Sequence, residues 1–285
     1  MAHVTDPALH IVFCEGRPSS LDDLLLAHLL PIGRVQIKPL GGKHGMRAYI
    51  EGYLDTYSVD AQPSYLGFRD RDFDVEPPDH PQLIRLHGQK PIWLSHRTAI
   101  ENYLIDADLI RQYWVERENA PGWAHGPALS TDEIEDHITE SARELADYQA
   151  VRWALAKLKP GARWPEVSTT WTAGSGTIPP SPEYDHCLAQ ASQLVLSFQQ
   201  EIQGIHPDHL QTHAETYRER FADHHFFERA RYLIWFHGKD HLVLLCRRLS
   251  PNFPRRHYAD WAAEHVDIQK HPDLQQLVTL ARHTS

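Results

Sequence analysis

Tyr65-Leu66-Gly67-Phe68-Arg69-Asp70-Arg71-Asp72-Phe73-Asp74 is a short apolar run that ends in three alternating carboxylates. It reads as a β-strand that delivers acid to its end. In an extended chain residues i, i+2 and i+4 share one side, so Asp70, Asp72 and Asp74 converge if the backbone stays extended past Phe68. Carboxylates crowded in this way repel unless a cation sits among them, and hard oxygen donors suit Mg²⁺ or Mn²⁺ better than zinc. An acidic surface turn is the alternative reading.

Upstream, His10-Ile11-Val12-Phe13-Cys14 is a continuous apolar run, the pattern of a strand buried on both faces of a parallel sheet. Glu15-Gly16 follows it, and leucines 21, 24, 25 and 29 mark a helix from Leu21 to Leu30, with Ser19 or Ser20 as its cap. Val35 to Leu40 reads as a second strand. Gly41-Gly42-Lys43 then leads into a helix from about His44 to Leu54. Two glycines before a helix form either a plain turn or a backbone nest for phosphate, with Lys43 as a point charge beside it. The Gly-x-x-x-x-Gly-Lys-Ser/Thr spacing of nucleotide hydrolases is absent.

Strand, helix, strand, helix, strand is a βαβαβ pattern, and right-handed crossovers place the carboxyl ends of its strands on one edge. In open α/β sheets ligands bind at that edge. Glu15 and the Asp70/Asp72 pair therefore share an edge. Leu83 to Leu86 and Pro91 to Leu94 read as a hairpin around Gly88, ending at Ser95-His96-Arg97. A helix opening at Thr98, capped by Ser95 or Thr98, brings Glu101 to the same edge. His96 and Arg97 there either hold a phosphate or pair with surface carboxylates, and an acid in a first turn is ordinarily a macrodipole partner.

Beyond Asp106 the pattern is mostly helical, with segments at Leu109 to Glu118, Thr131 to Leu158, Tyr184 to Gln203, Pro207 to Ala222, Phe226 to Phe236, Asp240 to Leu249, Arg255 to His265 and Asp273 to His283. The expected architecture is an α/β core over 1–106, a mostly parallel sheet flanked by helices. A largely α-helical half follows over 107–285, with a flexible glycine- and proline-rich loop at about 169–182. His206, His209, His213, His224 and His225 lack a His-Glu-x-x-His pattern and read as surface or structural residues. His237-Gly238-Lys239-Asp240 places a lysine between an aromatic run and an apolar helix.

Composition narrows the function classes. Hydrophobic residues at 41% and charged residues at 23% are those of a folded globular chain rather than a disordered one. Three cysteines without a Cys-x-x-Cys spacing argue against a disulfide framework and fit a reducing cytoplasm. No basic-then-apolar leader opens the sequence and no run approaches about eighteen apolar residues, so a soluble protein without a membrane partner is expected. The net charge of −10 excludes a general nucleic-acid coat. Action on DNA or RNA requires a local basic patch, metal ions or a partner. The 21 histidines have no functional account at this level.

Glu15-Gly16, Gly41-Gly42-Lys43, Asp70-Arg71-Asp72-Phe73, Glu101-Asn102-Tyr103-Leu104 and the late Gly238-Lys239-Asp240 together resemble the TOPRIM domain, in particular bacterial TOPRIM-like proteins related to the overcoming-lysogenization-defect nucleases and to the effector of the PARIS anti-phage system. The resemblance implies a cytoplasmic, Mg²⁺- or Mn²⁺-dependent endonuclease cleaving phosphodiester bonds in transfer RNA or DNA, as an abortive-infection effector in antiviral defence. Asp70 and Asp72 would hold metal, Glu15 would be a further ligand or the general acid/base, and Glu101 would bind a second ion. Gly41, Gly42, Lys43, His96, Arg97 and Lys239 would meet substrate phosphate, with Lys43 also in the catalytic set. A partner ATPase controlling the effector and a homo-oligomer are the implied assemblies. The competing expectation is a catalytically silent TOPRIM-fold module that binds metal and a protein partner.

Overall fold

The computed structural model describes residues 10–31, 33–42, 45–58, 62–86, 88, 90–158, 180–181, 183–203 and 205–283. Five strands form one sheet: β1 (His10–Cys14), β2 (Val35–Pro39), β3 (Tyr65–Arg69), β4 (Ile84–Arg85) and β5 (Ile92–Leu94), in the order β2-β1-β3-β5-β4. β1 pairs in parallel with both β2 and β3, and β3 with β5. Only the β4–β5 hairpin is antiparallel, with Ile84 opposite Leu94. The expected α/β architecture, mostly parallel sheet followed by a helical half, is what the chain forms.

β1 is buried along its whole length, as its unbroken apolar run requires of a central parallel strand. Ile11 and Phe13 point to one face, where they pack with Met46, Ile50 and Leu54 of α2 (Met46–Leu54) and with Ile92 of β5. α1 (Leu21–Leu29) links β1 to β2, and a 3₁₀ turn at Ile100–Leu104 follows β5. α2 begins two residues later than expected, and the turn at 100–104 replaces the expected α-helix.

The remaining helices are α3 (Ala107–Arg117), α4 (Thr131–Leu158), α5 (Tyr184–Ile202), α6 (Pro207–Ala222), α7 (His224–Glu228), α8 (Tyr232–Trp235), α9 (Gly238–Leu249), α10 (Arg255–Ala263) and α11 (Pro272–His283). α4 opens on a reciprocal cap. Glu133 N–H donates to Ser130 Oγ at 3.3 Å, and Ser130 N–H donates to the Glu133 carboxylate at 2.8 Å. The expected single helix from Phe226 to Phe236 is broken in two at Ala230, whose φ is +47.

The chain divides into two compact units, one of residues 1–146 with 224–285 and one of 147–223. The division differs from the expected boundary at 106, because α9, α10 and α11 belong with the sheet. In the second unit, the Trp153 and Tyr217 rings pack with centroids 5.6 Å apart, and Arg218 pairs with Asp147 at 3.0 Å. Most of the expected loop at 169–182 lies outside the described residues. No helix among the described residues is long and apolar enough to cross a membrane.

Candidate active site

The first acid comes from the end of β1. Glu15 leaves the strand, and Gly16 turns the chain so that the first turn of α1 folds back over it. A Cβ on Gly16 would stand 1.9 Å from Ser20 Oγ and 2.7 Å from Asp22 Oδ2. Glycine is needed there for close approach. The result is that Asp22 is carried in beside the carboxyl end of β1, a residue that sequence reasoning missed. Acids in a first turn are normally macrodipole partners, so residue type alone did not mark it. The available signal was its position directly after Glu15-Gly16, on the same sheet edge.

The second pair comes from the end of β3, and here the extended-chain expectation fails. The strand stops at Arg69, Asp72 adopts φ +50, and the chain turns. Asp70 is buried, its Oδ1 accepting the Ile100 N–H at 3.0 Å. Asp72 N–H donates to the Thr98 carbonyl at 2.7 Å. Asp74 does not join them; it pairs with Arg69 at 2.8 Å. The cause is Arg71, whose fully buried guanidinium donates to the carbonyls of His96 at 3.2 Å, Val75 at 2.6 Å and Ile234 at 2.7 Å. Wrapping the loop around this guanidinium satisfies buried polar groups that an extended strand would leave unmet.

The last components come from the 3₁₀ turn and α9. Asn102 accepts the Ala99 N–H at 3.0 Å and the Thr98 hydroxyl at 2.9 Å on Oδ1, while its Nδ2 donates to the Phe236 carbonyl at 2.9 Å. The Thr98 hydroxyl also reaches the Phe236 carbonyl. The expected capping role of Thr98 and Ser95 is thus replaced: Ala99 is the cap residue, and Ser95 Oγ accepts Arg71 N–H and donates to the Arg97 carbonyl. A Cβ at Gly238 would sit 2.6 Å from the Asn102 backbone nitrogen. Only glycine lets α9 begin so close, and the next residue, Lys239, enters the acidic edge. His237 Nε2 stands 3.4 Å from Asp72 Oδ1, with its ring stacked on Phe73.

The electrostatics are those of a crowded acidic pocket. Asp70 is held well above the usual carboxylate range by burial, then by the charges of Asp22, Glu101, Asp72 and Glu15. Glu101 is raised by burial, with Lys239 opposing, and its buried Oε2 has no hydrogen-bond partner among the described residues. Burial also raises Asp22, again against Lys239. Burial works to lower Lys239, but Glu101, Asp70, Asp72 and Asp22 outweigh it and raise the ammonium above its ordinary value. Among the described residues, five carboxylates from four segments therefore share one field with Lys239.

Of the remaining expected site residues, His96 and Arg97 face elsewhere. Arg97 donates to the Asn102 carbonyl at 2.5 Å and lies over the Tyr103 ring. The charges acting on it are Tyr103, Asp273 and Asp106, not the acidic edge. His96 is buried, and burial lowers it to about 4, against Asp273. Gly41 and Gly42 hold φ +78 and +157, but the Gly41 N–H is committed to the Gly16 carbonyl at 2.8 Å. Lys43 lies outside the described residues.

The donor set fits a hard cation, being all carboxylate and including the orphaned Glu101 oxygen. The oxygens are not gathered on one point. Among the described residues, the one group of three potential ligands with atoms all within 4.8 Å is His224, His225 and Glu228, all exposed. Lys239 supplies a counter-charge to the acids of the pocket.

No protein-family model matches the chain, and no curated protein matches it.

Proposed function

We propose that the chain is a Mg²⁺- or Mn²⁺-dependent endonuclease that hydrolyses phosphodiester bonds in nucleic acid. The observation that carries the reading is the convergence of Glu15, Asp22, Asp70, Asp72 and Glu101 on one sheet edge beside Lys239, with Asp70 pushed well above its usual range. An arrangement this repulsive costs folding free energy, and local costs of that kind are expected where function requires them. Asp70, Asp72 and Glu15 would hold the cation, with Glu101 and Asp22 beside them. When bound, the cation polarises a phosphoryl oxygen and lowers the pKa of an attacking water.

The chain's own groups do the rest. Lys239, kept protonated by the acids around it, stabilises the charge developing on phosphate. A carboxylate that burial holds above its usual range, such as Glu101, holds a proton more readily than a solvated one and is suited to accept and return it. Asn102 and Gly238 fix the spacing of Glu101 and Lys239, so the two act from one rigid element. The TOPRIM assignment, a transfer RNA or DNA substrate, a role in anti-phage defence, a controlling ATPase, a homo-oligomer and a cytoplasmic location belong to the same reading and rest on the sequence resemblance.

One observation favours a second reading, a silent module in which Lys239 permanently neutralises the acids: their ligand atoms are not drawn together as the His224 group is. The test separates the two. Purified chain is incubated with end-labelled duplex DNA, single-stranded DNA and total transfer RNA in Mg²⁺ or Mn²⁺, alongside Glu15→Ala and Asp70→Ala. Cleavage lost in both variants is expected. Cleavage surviving both overturns the site, and absence of cleavage with unchanged Mn²⁺ binding in Asp70→Ala favours the silent module.

A further inference from the structure

A cleft of about 450 Å³ opens beside the acidic edge, and Glu101 and Lys239 form part of its lining. The start of α10, with Arg255 and Arg256 in its first turn, also lines it. That turn carries no acid. Two cations at the positive end of a helix oppose the macrodipole, which favours Asp or Glu there. Arg256 is 92% exposed, and Asp260, one turn further along α10 and also in the lining, stands 4.0 Å from it. The fold gains nothing evident from this placement, which is what a binding role predicts.

Part of the lining is apolar, from Leu242 and Val243 of α9, Ala259 of α10 and Leu21 of α1. Ser19, also in the lining, holds φ +63, a conformation non-glycine residues rarely adopt. The lining thus combines the Arg255 and Arg256 cations, aliphatic side chains, and Lys239 with the carboxylates Glu101 and Asp260. The cations suit a phosphate, and the aliphatic side chains suit the flat face of a base or a sugar. The volume is that of a small-ligand pocket. It admits on the order of one nucleotide, whereas a duplex, with grooves alone about 6 to 12 Å wide, cannot enter.

We infer that this cleft takes one unpaired nucleotide next to the bond to be cut, its phosphate on Arg255 and Arg256 and its base against Leu242, Val243 and Ala259. The inference rests on the proposed nuclease reading and narrows it to single-stranded or locally opened nucleic acid. It also supplies the local basic patch that a chain of net charge −10 requires.

Binding is read separately from cleavage. Fluorescence anisotropy in EDTA follows labelled single-stranded DNA, single-stranded RNA and hairpin duplex with the natural chain, with Arg255→Ala/Arg256→Ala, and with Arg111→Ala on α3 as a surface control. The double variant is expected to bind single strands about tenfold or more weakly, and to lower the slope of log affinity against log salt by about 1.4, the value for two phosphate contacts on a single strand. Arg111→Ala binds as the natural chain does, and the duplex binds less tightly than either single strand. Equal binding by the natural chain and the double variant, a duplex preferred over single strands, or no oligonucleotide binding at all each overturns the inference. Cleavage retained with binding unaffected refutes the cleft alone. Binding lost in the double variant, with no cleavage by the natural chain in any metal, supports the cleft and refutes the nuclease.

Discussion

Asn102 Nδ2 donates to the Phe236 carbonyl at 2.9 Å, and two residues later Gly238 leaves no room for a Cβ against the Asn102 backbone. This clasp holds Glu101 and Lys239 in one place although they lie far apart in the chain. It also ties the Glu-Asn-Tyr-Leu and Gly-Lys-Asp segments into one unit, which motif spacing alone does not explain.

Gly238→Ala tests the clasp. Alanine normally favours a helix over glycine by about 1 kcal/mol, but here the methyl group strikes the Asn102 backbone. Overpacking of this kind costs about 1 to 3 kcal/mol. Denaturant unfolding should show that loss, and turnover should fall about tenfold or more as Lys239 shifts. A variant with unchanged stability and turnover contradicts the clasp.

Asp70→Asn should separate stability from activity. The amide oxygen still accepts the Ile100 N–H, while the repelling charge is gone. In EDTA at neutral pH the melting temperature is expected to rise by about 2 to 4 °C, the shift per kcal/mol for a domain of this size. Cleavage is expected to disappear. A lowered melting temperature would mean that the Asp70 charge is not a burden on the fold.

Asp22→Asn and Asp74→Asn form a contrasting pair. Asp22 shares the pocket, so its variant should need about 10- to 100-fold more Mn²⁺ for half-maximal cleavage. Asp74 serves Arg69. Its variant should lose about 1 to 3 kcal/mol of stability and keep the natural Mn²⁺ requirement. Equal Mn²⁺ titrations for Asp22→Asn and the natural chain would remove Asp22 from the site.

Acid sensitivity follows from three buried histidines. Burial lowers His96, His241 and His271 from 6.5 to about 4. Below pH 6.5 the unfolded chain takes up protons that the folded chain refuses. Their stabilisation is therefore complete above pH 6.5 and lost as pH falls towards 4, by up to about 1.4 kcal/mol per pH unit for each. Asp70, Asp22 and Glu101 have raised folded values and act with the opposite sign, gaining stability as they protonate. Unfolding curves between pH 7 and 4.5 should thus fall more steeply for Asp70→Asn than for the natural chain, and a shallower fall in the variant would reverse the assigned sign.

Arg71→Lys should be far from conservative. One ammonium cannot reach the His96, Val75 and Ile234 carbonyls that the guanidinium spans. A loss of about 2 to 4 kcal/mol in chemical unfolding is expected from the carbonyls left buried and unpaired. A near-neutral result would show that water replaces the missing donors.

Much of the sheet was readable because its signals are local. The unbroken run His10–Cys14 and the leucine spacing of α1 each sit within a few residues of what they specify. Glu15, Asp70, Asp72, Glu101 and Lys239 were readable for a related reason: strand ends and helix starts lie on one edge. Asp22 and His237 were not. Their places depend on close approaches over Gly16 and Gly238 that no pattern of residue types encodes. Asp74 was misplaced because burial of Arg71 overrides the strand alternation, and the expected boundary at 106 ignored helices that return to the sheet from the far end of the chain.

The guanidinium of Arg71 has a consequence for synthesis. Ile234, Phe236, Lys239 and Asp273 complete the loop, the clasp, the field and the anchors of His96 and Tyr103. A ribosome releases all of them only after every strand of the sheet has emerged. The strands that carry the acids emerge early, yet the pocket cannot close until those late residues arrive, so a nascent or truncated chain has the acids without the site.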